Sequence, residues 1–214
     1  MKGLLLKDFY MARKYCRAYL FLSVLFIGLS TIGETNSGLF YVVYPCLLAG
    51  MIPTNLLAYD ERSKWDAYSG ALPYSTAQLV SAKYLIGLIA QILALVLIGV
   101  AQAVKLYRIG AFVWDEYLAL LLLLLLFSCV VSSVCLPFMF IFGVEKGRIA
   151  YYVMMGLAVA SIMVVSVGVV SGTNMQPALP SGGALPLLCL AGIALYALSW
   201  YLSIVFYRNR DAKA

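Results

Sequence analysis

YLALLLLLLLFSCVVSSVCLPFMFIF, residues 117–142, runs from a tyrosine to a phenylalanine without one charged side chain. About 20 apolar residues are enough to cross about 30 Å of hydrocarbon as a helix. Working outward, the same kind of run recurs at Tyr84–Val104 and Leu39–Tyr59 before it, and at Ile149–Ser171 and Leu185–Phe206 after it. A sixth, shorter run at Ala18–Gly33 takes a turn from the segment that precedes it. The chain is 64% hydrophobic and only 11% charged, with a mean hydropathy of +0.96. A soluble domain is about half apolar and about a quarter charged, so the solvent for most of this chain is lipid. Lipid offers no partner to a free backbone amide, so the runs are helices. The expected fold is all-α and integral to the membrane: one domain over residues 1–214 with six transmembrane helices.

The basic residues write the orientation. Thirteen of the fifteen lie at one set of helix ends, from Lys2 to Arg17, from Arg62 to Lys83, at Lys146 and Arg148, and from Arg208 to Lys213. The other set has only Lys105 and Arg108. Positive charge is retained on the cytoplasmic side. Both termini are therefore expected in the cytoplasm. The segments expected outside, Glu34–Gly38, Lys105–Glu116 and Gly172–Ala184, are too short for a folded domain. The basic stretch before the first run extends to Arg17 and no small-x-small site follows, so the run is read as a retained span rather than a signal peptide.

Composition excludes several functions. The charge of +6 is dispersed between apolar runs, which is topology rather than a nucleic-acid stripe. There is no histidine, and none of the five cysteines forms a CxxC pair, so no catalytic residue and no metal site is expected. No span contains Asp, Glu, Lys, Arg or His, which disfavours a proton-driven carrier. No GxxxxGK[ST] loop is present. The chain itself is then not an enzyme. Any uphill transport must draw energy from a second polypeptide on the cytoplasmic side.

Residues 4–17 read as an amphipathic helix on the inner membrane surface, residues 1–17 forming an N-terminal interfacial element. Leu4, Leu5, Phe9, Met11, Ala12, Tyr15 and Cys16 share one side; Lys7, Arg13, Lys14 and Arg17 face lipid headgroups or a partner. Asp8 is out of place on the apolar side.

The one long polar stretch on the expected cytoplasmic side is residues 60–83. Ser63-x-x-Asp66 reads as the start of a short helix from Lys64 to Gly70, which Leu72-Pro73 stops. Ser75-x-x-Gln78 reads as a capping box for the next membrane helix. Trp65, Tyr68 and Tyr74 suit an interface. KWDAYSGALPYS at 64–75, followed by SAKY at 81–84, resembles the cytoplasmic loop of bacterial ABC-2-type transporter permeases; FGVEKGRIAYY at 142–152 and LLLKDFYMARKY at 4–15 match as well. The family often has an arginine just after the Leu-Pro pair, where this chain has Thr76.

The resemblance implies a membrane subunit of an exporter. Its loop would act as a coupling helix between the second and third spans and dock on a separate ABC ATPase through Glu61, Lys64, Trp65, Asp66, Tyr68, Leu72 and Pro73. A second cytoplasmic loop would carry Glu145, Lys146 and Arg148. ATP and Mg would bind the partner, present in two copies, and this chain would hold no cofactor. A second permease copy is also implied, as a homodimer or with a sister subunit. Gly156-x-x-x-Ala160 and Gly168-x-x-x-Gly172 offer a close-packing seam for it. Pro45, Pro53 and Pro137 interrupt the second and fourth spans; Pro137 frees the carbonyl of Ser133, whose own hydroxyl is expected to help satisfy the local backbone. A path through such spans is apolar with hydroxyls and aromatics, and suits a hydrophobic or amphipathic cargo such as a peptide toxin or antimicrobial peptide. The rival reading is a six-span bacterial plasma-membrane protein with no ATPase: a substrate-binding component, or an immunity or assembly factor.

Overall fold

The computed structural model describes residues 2–32, 38–65, 68, 74–110, 112–170 and 184–211. Among these there are seven α-helices and no strand: α1 Lys2–Tyr15, α2 Arg17–Ile32, α3 Gly38–Arg62, α4 Thr76–Ile109, α5 Trp114–Phe142, α6 Val144–Val170 and α7 Ala184–Asp211. Four of them contain stretches long and apolar enough to cross a membrane: Phe40–Arg62, Thr76–Ile109, Trp114–Phe142 and Leu187–Arg208. α2 is a shorter apolar helix. Its 16 residues span only about 24 Å at 1.5 Å per residue. α1 and α2 are separated by a bend at Cys16, yet the helical ladder bridges it. Cys16 N donates to Ala12 O (2.9 Å) and Leu20 N to Cys16 O (3.1 Å). The expected borrowing of a turn is built in this way.

α3 is the axis of the bundle and touches α1, α2, α4, α5 and α6. Val42, Cys46, Leu47 and Met51 on α3 pack with Ile98 of α4, Leu124 and Cys135 of α5 and Tyr151 of α6. Both prolines of α3 lie inside it. Pro53 meets α4 at Gly87, where a Cβ would come within 3.1 Å of the proline ring. Large apolar side chains on the outer faces of α4 and α7, including Ile89, Leu93, Val96, Leu190 and Leu195, are exposed, as lipid-facing residues must be. Tyr107 and Trp114 are exposed at the turn between α4 and α5, where amphipathic rings sit at a membrane interface. Gly110 closes α4 there with φ 72°, and Ser75 and Gln78 open it with the expected reciprocal capping bonds, each 3.3 Å.

The Ser133 hydroxyl satisfies local backbone as expected, and the carbonyl released by Pro137 finds its partner on another helix. Ser133 Oγ donates to Val130 O (2.9 Å), and the Ser133 carbonyl accepts from Ser199 Oγ on α7 (2.7 Å). A serine has one proton to give. Tyr84 OH therefore donates to Ser199 Oγ (2.8 Å) and accepts from Ser203 Oγ (2.7 Å). Tyr196 OH donates to Tyr84 O (2.9 Å). Polar side chains thus tie α4, α5 and α7 where lipid has nothing to offer.

All five cysteines are free and buried. Burial pushes the Cys16 thiol up to about 11, above the ordinary value. The thiolate is the reactive species, so burial holds Cys16 as the unreactive thiol. Maleimide is expected to leave Cys16 unlabelled in the folded protein at pH 7–8 and to label it after denaturation; mass spectrometry of the α1–α2 peptide checks this.

Candidate functional site

At one end of the bundle, α1, the last turn of α3, the first turns of α4, the α5–α6 junction and Tyr207 of α7 converge around a small cavity of about 40 Å³. This is the end where most of the basic residues lie. Its centre is ionic. Lys83 Nζ lies 2.7 Å from Asp8 Oδ1 and 2.6 Å from Asp60 Oδ2. Lys7 Nζ lies 2.8 Å from Asp60 Oδ1 and 3.7 Å from Asp8 Oδ1. Asp8, Asp60 and Lys83 are only 2%, 4% and 6% exposed, which for charged side chains requires pairing. Two carboxylates face two ammonium groups, so the cluster is neutral as a whole. It joins α1, α3 and α4, and brackets the chain between Asp60 and Lys83.

The surrounding contacts stiffen the same corner. Lys7 Nζ sits 3.7 Å from the centre of the Trp65 ring, a cation–π contact. Trp65 stands against Tyr68, ring centres 5.5 Å apart. Glu61 Oε2 accepts from Val144 N (3.2 Å), an amide left free by the start of α6; the carboxylate also meets the positive end of that helix. Arg148 Nη2 donates to Asn55 Oδ1 (3.3 Å). No group of three or more His, Cys, Asp or Glu side chains able to hold a metal occurs among the described residues.

The predicted site residues distribute unevenly. Glu61 and Trp65 line the cavity. Lys64 is exposed, with φ 51°, just beyond the end of α3, and Tyr68 is exposed. Ser63 Oγ donates back to Asp60 O (3.1 Å). Trp65 and Tyr68 are helical; Asp66, Leu72 and Pro73 lie outside the described residues. The expected second cytoplasmic loop is a single residue: α5 ends at Phe142, Gly143 adopts φ 84°, and α6 begins at Val144. Glu145 and Lys146 are exposed in the first turn of α6, while Arg148 is turned inward to Asn55. Gly156 and Ala160 are exposed, and nothing lies within 4 Å of where a Gly156 Cβ would be. Gly168 is in α6 with its surroundings undescribed, and Gly172 lies outside the described residues.

The sequence reading missed the ionic cluster. It put Lys7 on the headgroup side of α1, treated Asp8 as an anomaly and counted Lys83 as a topology signal. Yet Asp8 and Leu4 are the buried face of α1, whereas Phe9 and Tyr15, expected on its apolar side, are half exposed. The usable signal was charge complementarity: Asp60 and Lys83 each stand one residue outside an apolar run, opposite in sign and flanking one loop.

Comparison with curated proteins and with solved structures gave no match. The protein-family comparison gave one, to the ABC-2 family transporter proteins, over residues 3–208. It takes in every helix described above except the first residue of α1 and the last three of α7. It accounts for the apolar helices, and implies in general an ABC ATPase as the energy-supplying partner of a membrane component that is not itself catalytic. The chain therefore belongs to the ABC-2 family of transporter proteins and is a multi-pass protein of the bacterial plasma membrane.

Proposed function

We propose that this chain is the permease subunit of an ATP-driven exporter, moved by a separate ATPase through the segment between α3 and α4. The observation that carries this reading is the buried cluster of Lys7, Asp8, Asp60 and Lys83. It clamps both roots of the segment to each other and to α1. A push on residues 61–73 then reaches α3, the bundle axis, instead of being absorbed in slack chain. Glu61 extends the same link to α6. In this reading the cluster faces the cytoplasm, both termini are cytoplasmic, and α2 and α6 complete six spans. ATP and Mg bind two ATPase copies. The exposed Gly156 and Ala160 on α6 support a second permease copy, since no described residue covers Gly156. The cargo is hydrophobic or amphipathic, of the peptide-toxin or antimicrobial-peptide kind.

Trp65→Ala with Asp66→Ala tests the coupling. Membrane insertion and yield should match the parent, while transport per ATP hydrolysed by the co-purified ATPase falls at least tenfold. Unchanged coupled transport in the double variant would overturn the proposal.

A further inference from the structure

A second cavity, of about 280 Å³, lies at mid-length between α4, α5 and α7, lined by Leu88, Gln91, Leu95, Leu125, Ser128 and Cys129 with Tyr196. Its outer rim is Ile92 of α4 and Ile193 of α7, both more than half exposed on the lipid-facing side. For scale, an apolar cavity of about 150 Å³ admits benzene and stays dry. The lining is mostly apolar; among its polar side chains, Gln91 and Tyr196 are hydrogen-bonded and Ser128 is not. Ser128 Oγ is buried and makes no hydrogen bond. Helical hydroxyls elsewhere in the chain, at Ser23, Ser30, Thr54, Ser81 and Ser133, donate to a carbonyl three or four residues back. Ser128 does not, although a buried polar group left unpaired costs about 1–3 kcal/mol.

None of the neighbours makes the missing bond. Gln91 gives its amide nitrogen to Ser128 O and to Ser132 Oγ, and Tyr196 gives its hydroxyl to Tyr84 O. A water would need two to four polar partners to settle there. We infer that this cavity is a binding site, within a single chain, for a neutral apolar molecule that carries one hydrogen-bonding group, entered from the bilayer between α4 and α7. The apolar walls take the body of the ligand, and Ser128 takes its hydroxyl or carbonyl. A charged ligand is disfavoured because no carboxylate or ammonium lines the cavity among the described residues. The inference does not rest on coupling to an ATPase.

The test is photolabelling of the full chain in lipid nanodiscs with a diazirine-bearing octanol, read by peptide mass spectrometry. Adducts are expected to saturate, to be displaced by excess octanol, and to fall on the stretches 88–95, 125–129 and 193–196. Cys129→Phe fills the cavity and should cut those adducts at least tenfold; Leu125→Phe is the second filling variant if the first folds poorly. Ser128→Ala should raise the half-saturating octanol concentration about five- to tenfold, the worth of one hydrogen bond. It should leave labelling by the matching diazirine-bearing octane unchanged. Three results would overturn the inference: unsaturable labelling spread over outward residues such as Val100 and Leu190, adducts indifferent to both filling variants, or Ser128→Ala acting alike on octanol and octane.

Discussion

Lys83→Met is expected to destabilise the protein by about 3–5 kcal/mol, the range for breaking a buried ion pair by removing one partner. Asp8 and Asp60 would remain buried within reach of only Lys7, whose shorter bond is to Asp60 and whose distance to Asp8 is 3.7 Å. Asp8 would thus lose its close cation, and α1 its anchor on α4. The control decides the cause. Replacing a whole buried ionic group by neutral side chains of similar size is often neutral or stabilising. Asp8→Asn and Asp60→Asn together with Lys83→Met and Lys7→Met should therefore recover most of the loss. Thermal unfolding in detergent micelles, followed for all variants, reads both effects. If the single variant matched the parent, the cluster would have no structural role. If the quadruple variant were as unstable as the single, the loss would come from packing and not from stranded charge.

Gly147→Ala is expected to be the next most damaging change, at about 1–3 kcal/mol or above, as for other overpacked sites. A Cβ at Gly147 would stand 2.3 Å from Met139 Cγ and 2.9 Å from Met139 Cα. The first clash can be relieved by moving a side chain; the second is with backbone and requires α6 to swing away from α5. The single residue Gly143 joins the two helices, so little slack exists for that swing. Met139→Ala combined with Gly147→Ala tests the distinction, because it removes Cγ and keeps Cα. The double variant should stay as unstable as Gly147→Ala with Met139→Ala's own cost added, measured by the same unfolding transitions. Full recovery in the double variant would place the strain in the side chain alone.

The apolar runs foretold α3, α4, α5 and α7 because run length and the absence of charge are one-dimensional properties, and lipid enforces helices upon them. The capping box at Ser75 was legible for the same reason: its partners lie three residues apart. The ionic cluster was not. Lys7 is 53 residues from Asp60 and Asp8 is 75 from Lys83, and periodicity says nothing about which distant charges meet. The α5–α6 junction was misplaced because Glu145, Lys146 and Arg148 look like loop residues, when the first turn of a helix tolerates charge and favours an acid. The Ser133 hydroxyl's bond to nearby backbone was legible, but the partner of its carbonyl was not, because only local partners can be seen in a sequence; Ser199 lies 66 residues away.

The distance between Asp8 and Lys83 also sets a timetable for synthesis. At about 5–20 residues per second, the ribosome makes Lys83 roughly 4–15 s after Asp8. Throughout that interval the amino-terminal helix has no lysine from α4 to receive its aspartate, although the single hairpin of α2 and α3 is already made. Docking of the first segment made therefore cannot be completed before the first turns of α4 exist, however early α1 leaves the ribosome.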